Sequence, residues 1–126
     1  MSDQRERALA KISVDGNHAE VEDGKRLVLA IEHDLGIDIL HKCGGNAMCT
    51  TCRVQFEVGE PSRMTEAERV RLEDRGLLGQ ARLSCQISCA GEMTVTPLMT
   101  ASSSNIDDPG PTPSDLISPD PVWIDG

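Results

Sequence analysis

Five cysteines are the side chains best suited to chemistry here, and the spacing of four of them suits a metal cluster. Cys43, Cys49 and Cys52 share one short loop with Gly44 and Gly45; five residues separate the first two cysteines and two residues the last two. Cys85 lies far downstream, with 32 residues between it and Cys52. A 2Fe–2S cluster needs four thiolates arranged as two pairs, one pair on each iron. A short loop can wrap a compact cluster with three of them, and the fourth then closes the cage from another part of the fold. Gly44 and Gly45 permit unusual backbone angles and close approach, so that main-chain N–H groups can point at the sulfurs. Those donors matter because each added electron puts more negative charge into a semi-apolar pocket.

Other metal readings fit less well. A Rieske centre needs two histidines close to cysteines, a pattern that His18, His33 and His41 do not supply. Structural zinc usually takes two close ligand pairs, and Cys85 has only Cys89 near it, with three residues between. The tight cysteine run ending in Cys-Pro that marks tandem 4Fe–4S proteins is absent.

The elements that must position these cysteines read as short strands and two helices. In residues 8–14, Ala8, Ala10, Ile12 and Val14 fall on one side and Lys11 and Ser13 on the other, as in a half-buried strand. A turn at Asp15-Gly16-Asn17 leads into a returning strand, His18 to Glu22, with Ala19 and Val21 inward. Asp23 is the expected N-cap of a helix in which Leu27, Val28, Ile31 and Leu35 share a face and Gly36 is the stop. Residues 53–58 alternate again, with Val54, Phe56 and Val58 inward. Thr65-Glu66-Ala67-Glu68 has the capping-box pattern and predicts a short helix running to about Arg75. Strands are expected near Leu83 to Ile87 and at Met93 to Pro97.

Strand parity places Cys52 on the side of Val54, facing the interior. On an extended strand Cys85 and Cys89 would share a side but lie roughly 13 Å apart, so only one of them readily reaches the loop's cluster. Cys89 is read as a small buried apolar residue with an unused thiol. His41 and Lys42, which flank Cys43, are read as solvated loop residues.

Composition narrows the function classes. Lys and Arg number 12 against 21 Asp and Glu, a net charge of −9, which argues against a nucleic-acid partner. Phe56 and Trp123 are the only aromatic rings, so the core is aliphatic. No apolar run has membrane-spanning length, and the polar start from Met1 to Arg7 lacks the apolar stretch of a signal peptide. Five cysteines without an export signal fit metal ligation in a cytoplasmic, reducing compartment. From Ala101 onward five of the seven prolines and a Ser102-Ser103-Ser104 run mark an acidic tail. The expected division is therefore a domain at residues 1–98 and a tail at 99–126. The short apolar cluster Val122-Trp123-Ile124 at the tail's end is expected to fold back onto the domain.

The run Cys43-Gly-Gly-Asn-Ala-Met-Cys49-Thr-Thr-Cys52-Arg-Val, followed by Arg82-Leu-Ser-Cys85-Gln-Ile and Met93-Thr-Val-Thr-Pro97, resembles the 2Fe–2S ferredoxins over roughly residues 8–98. The loop spacing is similar to that of the adrenodoxin and putidaredoxin branch. The resemblance implies an α+β, β-grasp fold: a mixed sheet with one main helix, a short second helix and, here, a disordered C-terminal tail. It also implies Cys43 and Cys49 on the outer iron and Cys52 and Cys85 on the inner one. The implied function is a one-electron carrier, not an enzyme, working as a monomer between a flavoprotein reductase and an electron-accepting protein, with no membrane or nucleic-acid partner. In adrenodoxin-like proteins an acidic helix docks the partners. Here Arg69, Arg71 and Arg75 interleave with Glu66, Glu68, Glu73 and Asp74, so a mixed solvated face is expected. Two alternatives stand beside this reading: a structural zinc module used for docking, and a ferredoxin feeding electrons to iron–sulfur cluster assembly.

Overall fold

A computed structural model of the chain describes residues 9–41, 51–100, 110, 113, 116–117 and 121–125. Cys43 and Cys49, with Lys42, Gly44 and Gly45, lie outside the described residues. Strand β1 (Leu9–Val14) turns at Asp15-Gly16 into β2 (Asn17–Glu22). Both turn residues have positive φ, 50° and 84°, the combination a tight two-residue hairpin requires. Ala10, Ile12 and Val14 are buried and Lys11 faces out, as the alternation predicts.

Next comes α1 (Leu27–Leu29), which continues directly as a π-helical segment, Ala30–Asp34. Strand β3 (Arg53–Val58), strand β4 (Arg63–Thr65) and helix α2 (Glu66–Asp74) follow. Strand β5 (Arg82–Leu83) runs into a 3-10 turn at Ser84–Gln86; β6 (Glu92–Pro97) and β7 (Trp123–Asp125) complete the order. Five strands form one mixed sheet in the order β2-β1-β6-β3-β5, and β4 pairs with β7 in a second, two-stranded sheet. Among the described residues only β1 and β6 run parallel, with Ile12 opposite Met93. Helix α1 and its π-helical continuation contribute Leu27, Val28, Ala30 and Ile31 to one core with Ile12, Val54, Leu83 and Val95. This is the β-grasp arrangement expected from the sequence.

The first helix begins later than expected and without Asp23 as its cap. Residues 24–27 are instead hydrogen-bonded to 87–89, with Arg26 bridging Ser88: Gly24 N donates to Cys89 O (2.8 Å), Cys89 N to Lys25 O (2.7 Å) and Leu27 N to Ile87 O (2.8 Å). Arg26 therefore takes the N-cap position, with no side-chain cap bond. The helix is also buried beyond one face, since Leu29 and Ala30 are enclosed together with Val28 and Ile31. It closes at Gly36, whose φ is +70°.

The expected strand from Leu83 to Ile87 stops after Leu83, because Ser84–Gln86 wind into the 3-10 turn and Ile87 N bonds back to Ser84 O. Along β3 the alternation holds for Val54 but fails at Val58, which is 47% exposed. An irregularity between Phe56 and Val58 shifts the β3–β6 register there, and such a bulge re-aims the side chains that follow. Gly59, at φ +81°, completes the kink against β6. A Cβ at this position would collide with the Glu92 carbonyl oxygen. Gly59→Ala should therefore lower stability by about 1–3 kcal/mol, read from urea unfolding; an unchanged midpoint would contradict the close approach.

At the far end of the chain, β7 runs antiparallel to β4, with Thr65 opposite Trp123 and Met64 opposite Ile124. Glu66 N also donates to Val122 O (2.8 Å). The apolar cluster thus folds back onto the domain.

Candidate metal centre

Pairing of β3 with β5 brings two of the four candidate ligands together. Arg53 lies opposite Leu83, which places Cys52 just before one strand and Cys85 just after the other. Ser84 ties the two segments directly: its N and Oγ both donate to the Cys52 carbonyl, at 3.2 and 2.8 Å. Cys52 and Cys85 are both closed to solvent, 1% and 0% exposed, and neither is in a disulfide.

Cys85 receives a side-chain donor as well. Gln86 Nε2 approaches its Sγ at 3.6 Å, within reach of an N–H···S hydrogen bond. The Gln86 amide is held from its other end by Thr65, whose Oγ1 donates to Gln86 Oε1 (2.7 Å) while accepting from Glu68 N (3.1 Å). Thr65 is thus the N-cap of α2, as the capping-box pattern predicts, and also the anchor of a group aimed at sulfur. An N–H donor beside a thiolate spreads its negative charge, which is what a thiolate-rich, electron-accepting centre needs.

Glu68 departs from its expected role on a solvated helix face. It is fully buried and forms a forked ion pair with Arg82: Nε to Oε2 at 2.8 Å and Nη2 to Oε1 at 3.2 Å. Leu83 N adds a third donor to Oε2, also at 2.8 Å. Arg82 further donates to the carbonyls of Pro61 and Arg63. Burial raises the Glu68 carboxyl above its ordinary pKa, against the opposing pull of the Arg82 guanidinium and the Leu83 N–H. One cluster of polar groups thereby fastens α2, the segment before β4 and the start of β5, three residues ahead of Cys85. The remaining acids of α2 do form a mixed solvated face, with Arg69–Glu73, Arg71–Asp74 and Arg75–Asp74 contacts at 3.2–3.7 Å.

His41 likewise departs from the solvated-loop expectation. It is 1% exposed and its Nε2 lies 2.9 Å from Glu32 Oε2, which fastens the entry to the cysteine loop onto the first helix. Neither pairing was legible locally, because each joins residues on different elements. Adjacency to Cys85 was the one signal for Gln86.

Cys89 stands apart. Its main chain is committed to the 24–25 segment, its thiol is buried, and burial pushes that thiol up to about 12. A thiol held protonated is a poor metal ligand, because metal binding requires the thiolate. Cys89→Ala should leave the visible spectrum of the metal-loaded chain intact; bleaching would show that the fourth ligand had been misassigned. Among the described residues no group of three His, Cys, Asp or Glu side chains converges on another metal site.

The profile of the 2Fe-2S iron-sulfur cluster binding domain matches residues 12–90, more than half of the chain. The chain belongs to the 2Fe–2S ferredoxin family. A curated 2Fe-2S ferredoxin from Haemophilus influenzae is 35% identical over 68 residues, covering 52% of this chain and 60% of that one. The match thus spans less than two thirds of that relative's length. Among solved structures, the ISC-like 2Fe-2S ferredoxin from Pseudomonas putida is 30% identical with a TM-score of 0.55, covering 71% of this chain and 90% of that one. A reduced putidaredoxin variant from Pseudomonas putida is 28% identical with a TM-score of 0.50, covering 74% and 99%. A 2Fe–2S cluster is therefore the cofactor of this ferredoxin domain. The described part of the site fits it: two solvent-shielded thiols on neighbouring segments, one with a side-chain N–H on its sulfur. No helix is long and apolar enough to cross a membrane among the described residues.

Proposed function

We propose that this ferredoxin is a one-electron shuttle, accepting electrons from a flavoprotein reductase and handing them to a second redox protein. The ligands in this reading are Cys43, Cys49, Cys52 and Cys85, with Cys43 and Cys49 on the outer iron and Cys52 and Cys85 on the inner one. The observation that carries it is the convergence of buried Cys52 and Cys85 across β3 and β5, with Ser84 bonded to the Cys52 carbonyl. When bound, the cluster supplies reversible one-electron chemistry. The chain's own part is to hold the sulfurs in place, keep water from Cys52 and Cys85, and offer the Gln86 N–H to Cys85. The carrier has no catalytic residues of its own in this reading. It acts as a monomer in a cytoplasmic, reducing compartment, with residues 1–98 as the ferredoxin domain and 99–126 as its tail.

The test is reduction of the anaerobically reconstituted chain by NAD(P)H and a flavoprotein ferredoxin reductase, followed by its visible absorption. Partial bleaching that reverses when an oxidised acceptor protein is added supports the shuttle. Failure of every reductase, with dithionite still bleaching the same sample, counts against the reductase-fed reading alone. A second reading keeps the carrier and changes its acceptor. Similarity to a ferredoxin described as ISC-like favours electron supply to iron–sulfur cluster assembly, and capture of an assembly scaffold rather than an oxygenase component would select it.

A further inference from the structure

Among the described residues Arg26 is the largest fully buried side chain, 1% exposed, at the point where the helix begins. Arginine is almost never enclosed to this degree unless its donors are engaged. Here the guanidinium forks onto one carbonyl: Nε and Nη2 both donate to Cys85 O, at 3.0 and 2.7 Å. From its other side Nη1 donates to Leu116 O, at 3.0 Å, across 90 residues of sequence. From the C-terminal stretch, Leu116, Ile117, Pro121 and Trp123 line a cleft beside this group together with Ser88. A second route also leads from the tail to Cys85. Strand β7 pairs with β4 at Thr65, Thr65 holds Gln86, and Gln86 meets the Cys85 sulfur.

We propose that Arg26 is a positioning residue for the cluster, clamping the main chain of Cys85 on one side and the C-terminal tail on the other, so that the docked tail holds this ligand in place. The proposal rests on Cys85 being a cluster ligand. Two charge-assisted bonds to one carbonyl fix the Cys85 peptide far more tightly than a turn alone. The cation is also bonded to the carbonyl of the very residue that carries the sulfur, and positive charge beside the centre favours its more negative, reduced state. The tail thereby becomes part of the redox site's support although none of its residues is a cysteine.

The experiment uses the full chain, reconstituted with iron and sulfide, as wild type, Arg26→Gln and Arg26→Lys. Three quantities are read: the rate of cluster loss to a chelator, the midpoint potential, and hydrogen exchange of the amides at 116–125. Arg26→Gln should lose its cluster on the order of tenfold faster, shift its potential to more negative values, and raise exchange in the tail. Arg26→Lys keeps the charge but not the fork. It should keep a potential close to wild type while still losing its cluster faster, and it decides the matter if Arg26→Gln does not fold. Cluster loss and tail exchange like wild type in the folded variants would overturn the proposal and leave the ferredoxin reading intact. A wild-type chain that forms no 2Fe–2S spectrum would instead remove the reading on which the proposal rests.

Discussion

Cys52→Ser should yield a chain that does not retain its iron–sulfur cluster, with visible absorption lost or bleaching within the time of purification. Among the described residues no spare thiol is placed to substitute for Cys52. Its side chain is 1% exposed, its carbonyl is fixed by two bonds from Ser84, and the spare thiol, Cys89, has its backbone tied to residues 24 and 25 on another segment. Serine offers a hydroxyl that stays protonated where a thiol ionises, and soft sulfur is the ligand that iron–sulfur clusters take. Visible and circular-dichroism spectra of anaerobically purified protein provide the check. A normal spectrum from the serine variant would remove Cys52 from the ligand set.

The second large effect lies outside the ligands. Glu68→Gln leaves the Arg82 guanidinium buried with an amide where its carboxylate stood. Breaking a buried pair from one side typically costs about 3–5 kcal/mol. The lower end is expected here, because Arg82 keeps the carbonyls of Pro61 and Arg63 and a 3.3 Å contact with Glu60. Since Glu68 also accepts from Leu83 N, the loss should appear in the cluster too, as faster release from the β5 side. Chemical unfolding of the loaded chain measures the first effect and chelator challenge the second. A variant within about 0.5 kcal/mol of wild type, the usual range for surface substitutions, would mean that the pair does not fasten β5.

Much of this fold is legible in the sequence where local pattern and tertiary packing agree. β1 and β6 are half-buried strands, and their period-two alternation survives, with Ile12 opposite Met93 on the enclosed side. Thr65 caps α2 because capping depends only on the next three residues. The misreadings fall where two distant segments compete for the same backbone. Asp23 looks like a helix cap until residues 24–27 are spent on pairing with 87–89. The same pairing and the 3-10 turn replace the continuous strand expected from Leu83 to Ile87. Glu68 and His41 read as surface residues because their partners, Arg82 and Glu32, lie 14 and 9 positions away on other elements. The cysteine spacing pointed to the cofactor, but nothing local foretold that Arg26 would reach both Cys85 and the tail.

Iron and acid-labile sulfide analysis, combined with electron paramagnetic resonance, of the full chain after anaerobic reconstitution tests this account most directly. Two irons and two sulfides per chain are expected, with a spectrum that is silent as oxidised and shows a single-electron signal on reduction. A colourless chain holding stoichiometric zinc, or one that takes up no iron, would contradict it.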